Sequence, residues 1–91
     1  MKKVIINECE YELVRNDNNC FDESVLEKIT DYFYPYDYIM GDYAYDKVRF
    51  KGYYDSKNKK AKKINDIKFM DDYIEKYCSY GSKVFLLKKI K

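Results

Sequence analysis

The chain has no histidine and no tryptophan, and only one proline and three glycines in 91 residues. Without histidine there is no Ser-His-Asp triad, no Cys-His pair and no His-ligated zinc or haem. The glycines stand apart at 41, 52 and 81, so there is no glycine-rich phosphate loop, and neither G-x-S-x-G nor H-E-x-x-H occurs. No catalytic motif remains, and a protein that is not an enzyme, with no cofactor and no metal, is expected. Cys9, Cys20 and Cys78 are odd in number and lack CxxC spacing. They read as small buried apolar groups kept reduced in a cytoplasmic protein, with a reactive thiol as the other reading. The apolar run Val4-Ile5-Ile6 is too short for a signal peptide. No stretch approaches the ~20 apolar residues of a membrane span.

What is present is tyrosine and charge. There are 12 tyrosines, too many for a small core, so several are expected at the surface or an interface. Val, Ile, Leu and Phe total 22 of 91 residues. That is above the ~20 per cent below which charged chains stay disordered. At this length residues 1–91 are expected to form a single domain. The net charge of +2 hides an asymmetry: residues 1–46 hold 4 basic and 11 acidic side chains, net −7, and residues 47–91 hold 14 and 5, net +9. Such imbalance suits an anionic partner for the basic part, or self-association.

Periodicity supplies the elements. Val4 to Ile6 reads as a strand, and Asn7-Glu8 as a turn into a second one. There Glu8, Glu10 and Glu12 alternate with Cys9, Tyr11 and Leu13. Asn16-Asp17-Asn18-Asn19 is a turn cluster. Phe21, Val25, Ile29 and Phe33 recur every four residues, with Leu26 beside them. They predict a helix capped by Asp22, or by a Ser24/Glu27 capping box, and closed near Tyr34 by Pro35. Tyr36 to Gly41 and Lys47 to Tyr54 predict two strands joined by a loop at Asp42–Asp46. Gly52 marks a bulge or a close backbone approach. Five lysines in the seven residues 57–63 predict a solvated loop. Asn65 or Asp66 opens a second helix with Ile67, Met70, Ile74, Tyr77 and Cys78 inward, and Gly81 suits its end. Val84 to Leu87 is apolar on both faces, as in a central strand. The expected fold is α+β: one mixed sheet of four or five strands, order ββαββαβ, with both helices on one face.

Two segments resemble a known family. The run from Tyr36 to Tyr45, YDYIMGDYAY, followed by VRFKGYYD from Val48 to Asp55, is similar to the YutD-like signature, roughly YDYIVGDWGY and QLRLKGFY with an acidic residue after it. Tyr73 to Gly81 resembles the family's YxxEYCNFG ending. Tyr43 replaces the usual Trp, Met40 a Val, and Ser82 follows Gly81 where a second Cys is common. The resemblance implies a small cytosolic protein of low-GC Gram-positive bacteria. It carries over no catalytic residue.

Three constellations are candidates. Lys47, Arg49 and Lys51 share a strand face with Tyr53, and Lys57, Lys59, Lys60, Lys62 and Lys63 follow. Cations neutralise phosphates and aromatic faces stack on unpaired bases, so this is the expected surface for RNA or another polyanion. After the first strand the order βαββαβ is that of an RNA-recognition module, although Lys51-Gly52-Tyr53 begins its signature and Tyr54-Asp55 breaks it. A merely solvated strand and lysine loop is the plain alternative. Second, the hairpin 36–46 offers Tyr36, Tyr38, Asp42, Tyr43 and Tyr45 to a protein partner. Asp42 and Asp46 would serve an enzyme or a hard cation only if they converge, and otherwise are turn formers. Third, the row Glu8, Glu10 and Glu12 reads as the wet face of a strand rather than a metal edge. The expected partners are thus a nucleic acid or a protein, with no membrane, and the chain is a monomer or a weak homodimer.

Overall fold

A computed structural model describes residues 2–6, 8–44, 47–77 and 83–90. Asn7 of the expected turn, and Tyr45, Asp46, Cys78, Gly81 and Ser82, lie outside these. The described residues form one five-stranded sheet: β1 (Lys3–Ile6), β2 (Cys9–Asn16), β3 (Tyr38–Ala44), β4 (Lys47–Tyr53) and β5 (Val84–Lys89). Their spatial order is β1-β2-β5-β3-β4. The fold is α+β, and helical and strand segments follow each other as expected. Every pairing among the named strands is antiparallel, so the sheet is not mixed.

β1 and β2 pair as a hairpin, with Ile6 opposite Cys9 and Glu8 between them at φ 69°. The alternation in β2 holds: Tyr11 and Leu13 are buried, while Glu8 and Glu10 are exposed. In register Glu12 stands between Lys3 and Lys88, which suits the wet-face reading of the glutamate row. Among the described residues no three acidic or cysteine side chains are grouped to hold a metal ion.

The first helical segment is not an α-helix. It is three short 3-10 turns, Asp17–Asn19, Glu23–Lys28 and Asp31–Phe33, with extended backbone at Ile29 and Thr30. Asp22 caps the second turn by accepting from Ser24 N–H at 2.9 Å. β-branched Val25, Ile29 and Thr30 disfavour the α-helix. The 3-10 form also rises ~2.0 Å per residue against ~1.5 Å, so the segment reaches further across the sheet. The four-residue stripe nevertheless points inward. Val25 and Ile29 join the core of Val4, Ile6, Tyr11, Leu13, Ile39, Phe85 and Leu87, with Phe21 and Phe33 packed against it.

The second helical segment begins with a 3-10 turn (Ile67–Phe69) capped by Asp66, and continues as α1 (Met70–Tyr77). Its Met70 packs with Met40, Tyr53, Val84 and Leu86, and Ile67, Tyr73 and Ile74 lie against them. These are the alternate residues of β3, β4 and β5. The two helical segments therefore cover opposite faces of the sheet, not one. β5 is central and must be sealed twice: Phe85 and Leu87 under the 3-10 turns, Val84 and Leu86 under α1. Each such burial contributes about 1.5–3 kcal/mol.

Both glycines of the β3–β4 pair permit close approach. A Cβ on Gly41 would lie 2.1 Å from the Phe85 ring, and one on Gly52 2.4 Å from the Tyr36 ring. The pairing runs through Gly52 without a shift, so close approach, not a bulge, explains it.

Candidate nucleic-acid interface

β4 lies at the edge of the sheet, and the chain leaves it at Tyr54, which bridges in parallel to Asp66. Tyr54 N–H donates to Asn65 O at 2.7 Å and Ile67 N–H to Tyr54 O at 2.9 Å, closing a neck on residues 55–65. Inside the loop short polar side chains accept from the backbone: Asp55 from Lys57 N–H, Asn58 from Lys60 N–H, and Asn65 from Lys62 N–H at 2.6 Å. Asp37, just before β3, accepts from Asp55 N–H at 2.8 Å and from Asn58 Nδ2 at 3.0 Å. Ser56 Oγ donates to Asp66 Oδ1 at 2.5 Å. That hydroxyl, with Lys68 N–H, holds the Asp66 carboxyl below the usual carboxylate range.

The consequence is a division of labour. Asp37, Asp55 and Asp66 are turned into the loop's own hydrogen bonds, whereas Lys57, Lys59, Lys60, Lys62 and Lys63 are exposed. The loop is internally ordered and presents cations outward.

The strand face expected to join it is only partly open, because α1 sits over it. Lys47 is exposed, and Arg49 donates to Asp42 Oδ2 at 2.6 Å. Tyr53 is 1% exposed, so it is not a stacking platform for a base. Lys51 is half-buried, its Nζ 5.2 Å from the Tyr53 ring centroid and 5.0 Å from that of Tyr73. The open aromatic sheet of an RNA-recognition module is therefore absent on this face.

Two grooves flank the lysine loop. One, about 330 Å³, runs between β4, the loop's end and α1, and Lys51 and Lys63 meet Lys76, Phe69 and Tyr73 there. The other, about 510 Å³, brings Lys57 to Lys88 and Lys89 beside Asp37 and Asp55. Lys76, Lys88 and Lys89, outside the surface expected from sequence, line these grooves, and the Lys89 ammonium donates to the Tyr34 carbonyl. The paired lysines after the apolar run of β5 were the available signal. The sheet order separates the loop lysines, which follow edge strand β4, from Glu10 and Glu12 on the β1–β2 side, where Glu12 stands between Lys3 and Lys88.

The hairpin 36–46 differs from expectation. Asp42, Tyr43 and Ala44 continue β3 rather than forming a loop, and Asp42 pairs in register with Arg49. Asp42 is buried, and Tyr43 is half-buried with its ring 6.1 Å from Phe85. Burial pushes the Tyr43 phenol up, with Cys20 and Asp22 adding to the shift. Tyr36 and Tyr38 are half-buried. Tyr36 lies over Gly52 and 4.7 Å from the Tyr54 ring, and its phenol is pushed up to about 12, first by the Tyr32 hydroxyl 3.4 Å away and then by burial.

Comparison with known proteins agrees with the sequence resemblance. The family described as "Putative antitoxin YutD-like" matches residues 5–88. "Putative antitoxin YutD" of Bacillus subtilis (strain 168) is 38% identical over 89 residues, covering 97% of this chain and 98% of the relative. The solution NMR structure of protein yutD from B. subtilis superposes with a TM-score of 0.82 at 37% identity, covering 100% of this chain and 84% of that one. The chain belongs to the YutD-like family.

Proposed function

We propose that the protein is a non-enzymatic binding module for single-stranded RNA or a similar polyanion, met by the lysine loop and its two flanking grooves. The observation that carries this reading is the orientation of the loop. Its carboxylates are consumed internally, and five ammonium groups face solvent with Lys51, Lys76, Lys88 and Lys89 at its sides. Lys47 extends the surface along β4. Arg49 and Tyr53 belong to the support of that surface rather than to its contacts. Replacing Lys59, Lys60 and Lys62 by Ala should weaken binding to a short oligouridylate and flatten its salt dependence by roughly 0.7 per lost phosphate contact. Unchanged binding in this variant would overturn the reading.

A second reading takes its support from the relative's name, "Putative antitoxin YutD", and makes the anionic partner a protein that this chain neutralises. Among the described residues the exposed tyrosine on that side is then Tyr32, 65% exposed, rather than half-buried Tyr43. A protein that binds no oligonucleotide, yet loses a captured protein partner on Tyr32→Ala, would favour this reading.

A further inference from the structure

The groove under α1 combines two chemistries. Lys51, Lys63 and Lys76 bring three ammonium groups against the single carboxylate of Asp72. Its walls are aromatic and aliphatic: Tyr73, Phe69, and Ile64, which is 75% exposed. Exposed isoleucine at the mouth of a cationic groove gains nothing from a bare inorganic anion. A purely apolar ligand would leave the cations unused. A nucleoside phosphate satisfies both, since its base is flat and apolar on each face and its phosphate is anionic. The volume of about 330 Å³ is at the small end of ligand sites, room for one such unit and not several.

We infer that this groove is a subsite for one nucleoside phosphate, its base against Tyr73, Phe69 and Ile64 and its phosphate among Lys51, Lys63 and Lys76. The inference rests on the nucleic-acid reading above: the loop lysines take the phosphates of the strand, and the groove takes one nucleotide out of it. Lys51 links the two parts, because its ammonium already lies 5.0 Å from the Tyr73 ring and reaches a phosphate without leaving the aromatic wall. The same chemistry serves a free nucleotide, and the experiment separates the two sources.

The intact protein is titrated with uridine monophosphate, uridine, inorganic phosphate and a short oligouridylate, with backbone amide shifts read by NMR. The monophosphate should give saturable shifts at Tyr73 and Lys76 and bind about tenfold tighter than uridine or phosphate. Lys76→Ala, on an exposed position, and Tyr73→Leu should each weaken it about tenfold. The Lys59, Lys60 and Lys62 to Ala variant should keep the monophosphate and lose the oligonucleotide. Phosphate binding as tightly as the monophosphate, shifts confined to other surfaces, or monophosphate binding indifferent to Lys76→Ala would overturn the subsite. An oligonucleotide that binds while the monophosphate does not overturns the subsite alone. A monophosphate that binds while the oligonucleotide does not supports a free-nucleotide site and overturns the proposed function.

Discussion

Arg49 Nη2 reaches Asp42 Oδ2 at 2.6 Å across the β3–β4 ladder, and the Asp42 carboxylate is 5% exposed where the guanidinium is half in solvent. The pair sits where sequence reasoning had expected one free cation and one loop carboxylate. Removing the arginine takes the charged partner from a buried carboxylate. Arg49→Ala should cost about 1–3 kcal/mol in stability by urea unfolding. Lys47→Ala, on the same strand, should stay within about 0.5 kcal/mol. Equal costs would deny Arg49 its structural role.

The glycines give an ordered pair of outcomes. A methyl on Gly41 meets Phe85, which is fully buried and has nowhere to go. One on Gly52 meets Tyr36, half-buried and able to swing out. Overpacking costs about 1–3 kcal/mol, so Gly41→Ala should fall at the upper end or beyond and Gly52→Ala below it, read by thermal denaturation. The reverse order would contradict the packing described.

Alkaline titration should single out Tyr36. Its phenol is held up to about 12 by the Tyr32 hydroxyl and by burial. Because the folded value is raised, the neutral form is favoured in the fold. That contribution is whole below the ordinary phenol value of about 10 and is lost as pH climbs toward the folded value. Tyr32→Phe should lower the late-titrating step in the ultraviolet titration. A curve unmoved by that change would contradict the hydroxyl pairing.

Asp37 anchors the lysine loop through Asp55 N–H and Asn58 Nδ2. With that anchor the loop should resist trypsin despite its lysines. Asp37→Ala should raise local opening, and with it cleavage between residues 57 and 63, about tenfold, the effect of ~1.4 kcal/mol. Cleavage at the parent's rate would show the loop to be held by other means.

Much of the fold is legible in the sequence, and what escapes it has physical reasons. The alternation of Glu10 and Glu12 with Tyr11 and Leu13 reports burial directly, because strand side chains alternate by geometry. Val84 to Leu87 correctly announces a central strand, and its double-sided apolarity already required cover on both faces. An arrangement with both helices on one face would leave Val84 and Leu86 uncovered. The period of Phe21, Val25, Ile29 and Phe33 predicts the buried side of the segment but not its rise per residue, so an α-helix was expected where 3-10 turns stand. Asp42 reads as a turn residue because Asp favours turns; the arginine opposite it, which lets it remain in a strand, is visible only once the register is known. Tyr53 shares a face with three cations in sequence. Whether that face is open depends on where α1 docks, a long-range fact that local pattern does not carry.

Polyanion binding by the lysine loop is tested most directly by the affinity of the intact protein for a fluorescent oligouridylate across a salt series, paired with the Lys59, Lys60 and Lys62 to Ala variant. The logarithm of the affinity should fall linearly with the logarithm of salt, at about 0.7 per phosphate contact, and the variant's slope should be shallower by roughly 2. Binding absent at ~50 mM salt, or indifferent to salt and to the three lysines, would contradict it.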